Sequence, residues 1–352
     1  MSDLAKTFRR LIASTGPISL AHYMAESNAH YYAQQNPIGG QGADFITAPE
    51  VSQMFGELIG LWLVDIWMRA GSPAPVHYVE LGPGRGTLAR DASRVMRRQG
   101  LSPQMHLVET SERLREAQLA AVPSVVHHHD LSNLPEDGPL LLVANEFLDA
   151  LPVRQLVQTG DSWREVMVGL GATGEFVEMP GRQPMDSAVA QADRSAPPGT
   201  VIETSPACAA IVTEVADRLA VQGGAALFID YGHADGRTGS SLQAVRGHEK
   251  LGVFDAPGEA DLSAHVDFAQ MAAVAGAQGC RVLGTATQGD WLNALGIEQR
   301  AAALAASAPD QADSVMSARD RLIAPDQMGE LFKVMGLAGP NWPEGAGFQT
   351  TK

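Results

Sequence analysis

Three glycines at alternate positions, Gly82, Gly84 and Gly86, separate a short apolar run over residues 76–81 from a helix-forming stretch over 87–99. A strand, a glycine turn and a helix in that order restrict the fold more than any other segment of the chain. Glycine lets the backbone turn through positive φ and approach a ligand closely. The helix start behind it offers N–H groups that no carbonyl of the same helix can satisfy. Further strands are expected at 105–109, 125–129 and 140–144, with helices at 87–99 and from Ser111 between them. The run 140–144 is apolar throughout, as in a strand covered on both faces. Strands alternating with helices imply an α/β fold with a parallel sheet.

Other segments depart from this rhythm. Residues 3–33 read as two helices broken at Gly16-Pro17, with Ser19 as N-cap, and 34–49 as a loop. A helix is expected to follow to about residue 70, with Phe55, Leu58, Ile59, Trp62, Leu63 and Ile66 on one stripe. Residues 153–180 read as antiparallel strands and 181–200 as a polar connection. The rhythm returns with a helix at 206–221 and strands at 225–230, 241–245 and 280–284. A helix at 264–277 is expected with Ser263 as its cap, and 289–336 reads as helical. The division expected is an N-terminal helical segment, 1–70, that completes a cofactor site. A core follows from 71–152 and 201–288, with inserted strands at 153–200 and a helical cover at 289–352.

Composition narrows the function. The net charge of −15 repels nucleic-acid phosphates and anionic lipid, so a cationic substrate or a basic partner is favoured. No apolar run approaches the ~18 residues of a membrane span, and none is expected. Cys208 and Cys280 are the only cysteines, which excludes a disulfide framework and a multi-cysteine zinc site and fits a reducing compartment. With no secretory signal in the first residues, the expected location is the cytoplasm of a bacterium, or the mitochondrial matrix in a eukaryote. HExxH, GxSxG and GK[ST] are absent. His127, His128 and His129 alternate across a strand and cannot readily share one ion, so no metal is expected. A homodimer is compatible with the apolar surface that Trp62 and Trp67 offer, as is plain core packing.

The spacing of the loop selects a ligand. A dinucleotide fingerprint would need a glycine where Thr87 stands. The G-x-G-x-G pattern preceded by Glu80 resembles instead the first motif of class I methyltransferases. S-adenosylmethionine carries an ammonium and a sulfonium, so an acid beside the loop is physically sensible. Glu109 ends the next strand and can accept both ribose hydroxyls; Asp130, after the third, can accept from the adenine amino group. Candidate cofactor contacts are therefore Glu80, Gly82, Pro83, Gly84, Gly86, Thr87, Leu88, Glu109, Thr110, Asp130, Leu131 and Asn145. Asn145 and Glu146 leave the end of the fourth strand, where ligands of open α/β sheets bind. Methyl transfer is an in-line displacement that depends on alignment. A guanidinium nucleophile would need carboxylates to hold it. Glu146 is the first candidate, with Asp149, Asp230, Asp261 and Asp267 as possible second partners and His265 as a further catalytic candidate. An ordinary helix cap at 145–149 is the competing reading.

Several segments together carry a wider resemblance: Gly16-Pro17-Ile18-Ser19, the stretch from Gly39 to Glu57, and the ELGPGRGTL, VETS, NEFLDALPV, FIDYG and DLSAHVDF runs. The chain resembles the MidA-type methyltransferases, which include a mitochondrial complex I assembly factor that methylates arginine. The resemblance implies a class I (Rossmann-like) seven-stranded core with an N-terminal helical extension and inserted α+β elements on the substrate side. It also implies that Thr47, Gln53, Gly56 and Glu57 bind the cofactor. A protein with an accessible arginine, possibly a respiratory complex I subunit, becomes the expected partner. A small-molecule methyltransferase and a non-catalytic assembly factor remain the alternatives.

Overall fold

The computed structural model describes residues 3–34 and 46–348. Its spine is an eight-stranded sheet. Seven of the strands, numbered along the chain, are β1 (His77–Leu81), β2 (Gln104–Val108), β3 (Val126–His128), β4 (Leu140–Asn145), β5 (Gly224–His233), β6 (Arg281–Thr287) and β7 (Phe332–Ala338). They lie side by side in the order β3-β2-β1-β4-β5-β7-β6. The eighth, Val266–Asp267, is two residues long and pairs with the end of β5. Strands β1 to β5 run parallel. Every residue of β1 and β4 is buried, as their apolar runs require.

The order of the strands places the site. From β1 the chain steps outward to β2 and β3, then returns to lay β4 on the other side of β1. The connections leaving β1 and β4 therefore diverge, and a crevice opens at the carboxyl ends of those two strands.

Two sequence expectations fail in this sheet. The stretch read as helical to residue 336 ends in β7, which inserts antiparallel between β5 and β6. The C-terminal segment is thus part of the sheet as well as a cover for it. A short apolar run buried on both faces has no periodicity that separates strand from helix. The helix expected at 264–277 starts later, at Phe268, with Asp267 as its cap: Gln270 N donates to Asp267 Oδ1 at 3.0 Å. Ser263 lies in a strand, Asp261–Ser263, of a separate three-stranded sheet that also holds the expected strand near 241–245, here Gln243–Arg246. Ser19 does cap as expected, accepting from His22 N at 3.1 Å.

A second, five-stranded sheet joins Ile18–Ser19 to the inserted strands Arg154–Gln158, Trp163–Leu170, Phe176–Pro184 and Val201–Thr204. The connection expected over 181–200 is strand as far as Pro184. The helix Leu20–Gln34 runs beside this unit, and Asn28 ties it to the core: its Nδ2 donates to Ala150 O at 2.9 Å and to Leu262 O at 2.8 Å, while Leu262 N donates to its Oδ1 at 3.0 Å.

The helix Gln53–Arg69 buries all six residues of its expected stripe. It lies so close to the Thr87–Arg98 helix that a Cβ at Gly60 would stand 2.8 Å from Ala92 O, and one at Gly56 2.9 Å from Asp91 Cβ. Backbone obstructs the first position and cannot swing away. Gly60→Val is expected to lower stability by about 3 kcal/mol, read as a fall in the urea midpoint at constant slope. A midpoint like that of the wild type would show that the two helices have room to separate.

Candidate active site

The glycine loop turns as the spacing requires. Gly82, Gly84 and Gly86 have φ of 60°, 52° and 79°, and Gly86 caps the Thr87–Arg98 helix. A Cβ on Gly82 would stand 2.8 Å from the Phe147 ring. Side chains there would fill the space the loop leaves.

Two buried acids flank the loop. Glu80, at the end of β1, is 3% exposed and accepts from Tyr78 Oη at 2.5 Å. Burial pushes its pKa up to about 8, against a downward pull from the Tyr78 hydrogen bond. Glu109 follows β2 and is also buried. Its Oε1 accepts from Ser111 N at 2.8 Å and its Oε2 from Gln118 Nε2 at 3.3 Å, while burial raises its pKa.

Gln118 escaped sequence reading. It is fully buried on the Glu112–Ala121 helix, and its Nε2 also donates to Gly84 O at 2.7 Å. One amide therefore joins the glycine turn to Glu109. His127 Nε2 meets its Oε1 at 2.8 Å, which fixes the amide's orientation. His128 points elsewhere, to His106 Nδ1 at 2.9 Å, as alternation along a strand requires.

A cleft of about 760 Å³ opens beside the loop, lined among others by Gly82, Gly84, Glu109, Thr110, Asp130, Leu131 and Glu146. Asp130 sits exposed at its lip, with Oδ1 accepting from Ser132 N at 2.9 Å. That hydrogen bonding with Ser132 holds its pKa below the usual range. A smaller recess, lined by Thr47, Glu80, Pro83, Thr87, Leu88 and Asn145, shares Gly82, Gly84 and Glu146 with the cleft.

At the end of β4 the backbone turns through Glu146, whose φ of 51° is strained for a residue with a side chain. Glu146 Oε1 accepts from Ala48 N at 3.0 Å and Asn145 Nδ2 at 3.1 Å. Burial raises its pKa to about 7. Asn145 is buried, and its Oδ1 has no hydrogen-bond donor among the described residues. Asp149 is buried close to Asp230, Asp261 and Glu146; burial first, then these like charges, hold its pKa well above the carboxylate range.

Other candidates are used within the fold. Asp230 Oδ2 accepts from the N–H groups of Phe147, Leu148 and Asp149 at 3.1, 2.8 and 3.2 Å. It braces the segment and does not line the cleft. His265 lies in a different recess, with His233 and Arg237, and its Nδ1 accepts from Arg237 Nη1 at 3.2 Å. Gly56 serves helix packing. Glu57 is buried and pairs with Arg300 at 2.7 Å and Arg94 at 3.1 Å. Gln53 Nε2 donates to Glu57 Oε1 at 3.4 Å. Of the loop before residue 46, the segment Gly39–Phe45 that carried part of the resemblance lies outside the described residues.

A largely parallel sheet with a glycine turn at its switch point, an acid at the end of each of two adjacent strands and a cleft beside them marks a nucleoside-cofactor site. Residues 58–286 match the family model of S-adenosyl-L-methionine-dependent methyltransferases, and the chain belongs to that family. It is 35% identical over 374 residues to the mitochondrial protein arginine methyltransferase NDUFAF7 of Danio rerio, covering 95% of this chain and 86% of that protein. The Mus musculus protein of the same name is 36% identical over 365 residues, covering 93% and 82%. A COG1565 superfamily member from Burkholderia thailandensis, solved with S-adenosyl-homocysteine bound, superposes with a TM-score of 0.82 at 28% identity, over 96% of this chain and 92% of that one. The protein is a methyltransferase that uses S-adenosylmethionine. No helix among the described residues is long and apolar enough to cross a membrane.

Glu80 gives a pH test. An acid with a raised folded pKa keeps a proton that the unfolded chain has lost, so stability falls as pH rises from about 4.5 to about 8. In Glu80→Gln that fall is expected to be smaller, measured as urea midpoints at pH 5 and pH 8. Equal falls in both proteins would show that Glu80 is not perturbed. Glu57→Gln separates two roles: stability drops by about 2 kcal/mol as a buried ion pair is broken, while affinity for S-adenosylhomocysteine stays within about twofold. A large loss of affinity would show that Glu57 also serves the cofactor site.

Proposed function

We propose that this enzyme N-methylates arginine on a protein partner. The observation that carries the reading is the polarity of the site beyond the glycine loop. Among the described residues Asn145 Oδ1 is buried without a donor, and Glu146 is hydrogen-bonded through Oε1. These groups accept hydrogen bonds and ask for a ligand rich in N–H. A planar guanidinium meets that demand and is cationic as well. The names of the 33–36% identical relatives support the same acceptor.

The donor set also fits the cofactor. Glu80 would meet the ammonium end, Glu109 would accept from the ribose hydroxyls, and Asp130 and Leu131 would take the adenine, with Gln118 joining the turn to Glu109. The strand order β3-β2-β1-β4-β5-β7-β6 supports the class I core in this reading. Bound S-adenosylmethionine supplies an electrophilic methyl group on sulfur. Glu146 would orient the attacking nitrogen and take the proton that nitrogen gives up when it accepts the methyl group, the sulfur leaving as the neutral thioether. A respiratory complex I subunit is the partner the family resemblance suggests.

Glu146→Gln keeps the shape and removes the charge. With methyl-labelled cofactor and an arginine-bearing protein substrate, turnover is expected to fall by at least about a hundredfold. Affinity for S-adenosylhomocysteine should hold within about twofold. In the wild type the rate should rise with pH up to about 7, as Glu146 loses its proton. Label recovered on lysine, or an unchanged rate in Glu146→Gln, would reject the proposal.

A further inference from the structure

We propose that Tyr32 is a further acceptor-binding residue, whose phenol oxygen receives an N–H of the incoming guanidinium, and that Asp261 is the positioning residue that aims it. The inference rests on the arginine reading above and adds a wall to the site from the N-terminal helix.

Tyr32 lines the main cleft together with Glu146, Phe147 and Ala150. Its hydroxyl donates to Asp261 Oδ1 at 2.8 Å. A phenol has one proton to give, and here it goes to a buried carboxylate that does not line the cleft. The lone pairs of the oxygen are what remain for a ligand. Burial, followed by the charges of Asp261 and Asp149, holds the phenol pKa well above its usual value, so Tyr32 stays neutral and does not become a competing anion.

The placement is built into the fold. One turn earlier on the same helix, Asn28 bonds to Ala150 on the catalytic segment and to Leu262, the neighbour of Asp261. The helix thus fixes Tyr32 against both at once. Of the second acids open to a guanidinium, Asp230 is occupied by main-chain N–H groups and Asp267 caps a helix. Asp261 reaches the cleft through Tyr32. The independent sign of a missing donor is Asn145 Oδ1, 92% buried by its 8% exposure and without a partner among the described residues, in the recess that shares Glu146 with the cleft. Tyr32, Asn145 and Glu146 then offer three acceptor oxygens along the cleft and the recess that joins it, which suits a guanidinium better than an ammonium: its planar fork presents more N–H groups, in fixed directions.

The full-length protein loaded with S-adenosylhomocysteine would be titrated with methylguanidinium and, separately, methylammonium, by calorimetry or NMR. Wild type is expected to bind methylguanidinium more tightly. Tyr32→Phe should weaken that binding about tenfold or more, the worth of one hydrogen bond to a charged group, with cofactor-product affinity within about twofold. Asp261→Asn keeps an accepting oxygen and should bind like wild type. Asp261→Leu cannot accept and should match Tyr32→Phe. The double variant Tyr32→Phe/Asp261→Leu should be no weaker than either single one, because the two act as a unit. Unchanged methylguanidinium binding in Tyr32→Phe, or an equal loss of cofactor-product affinity, overturns this inference. If Glu146→Gln still abolishes arginine methylation, the proposed function stands without it. Wild-type protein that binds no methylguanidinium overturns both.

Discussion

The site depends on one buried carboxylate that does not line the cleft. Asp230, on β5, gathers three successive N–H groups of the segment that leaves β4, and its other oxygen accepts from Tyr231 N at 2.9 Å. Backbone donors at a chain turn would otherwise be buried without partners. With them satisfied, the chain can hold Glu146 at positive φ, where Glu146 N donates to Ile229 O at 2.9 Å. The strain is confined to the residue that faces the cleft. β5 and β4 are adjacent in the sheet, so the brace follows from the strand order.

That brace concentrates negative charge. Glu80, Glu146 and Asp149 all have pKa values raised by burial, and like charges add to the effect at Asp149. Carboxylates gathered in a poorly solvated crevice destabilise one another unless protonated or met by cations. The cofactor and a guanidinium are both cationic. An acidic site and cationic ligands therefore complete each other, and the net charge of −15 extends the same preference over the whole surface.

The loop, Glu80, Glu109 and the β4 exit were legible in the sequence because local rules govern them. Alternate glycines state the turn, and an acid after an apolar run states a strand end. What escaped depends on tertiary partners. Gln118 looks like any polar residue on a helix until the turn packs against it. Tyr32 lies far in sequence from Asp261. Strand β7 is apolar on both faces after Lys333 and follows alanine-rich helices, so nothing local marks it as sheet. Asp230 and His265 show the converse. Both stand in suggestive runs, yet neighbours direct one into bracing and the other into a separate recess.

Proton release on ligand binding tests this electrostatic account most directly. Calorimetric titration of S-adenosylhomocysteine at pH 7, in buffers with different ionisation enthalpies, counts the protons exchanged. Glu80, with its pKa near 8, is mostly protonated at that pH and should ionise when an ammonium settles beside it. The account predicts net release of up to about one proton per site, reduced in Glu80→Gln. No exchange, or uptake, would contradict it.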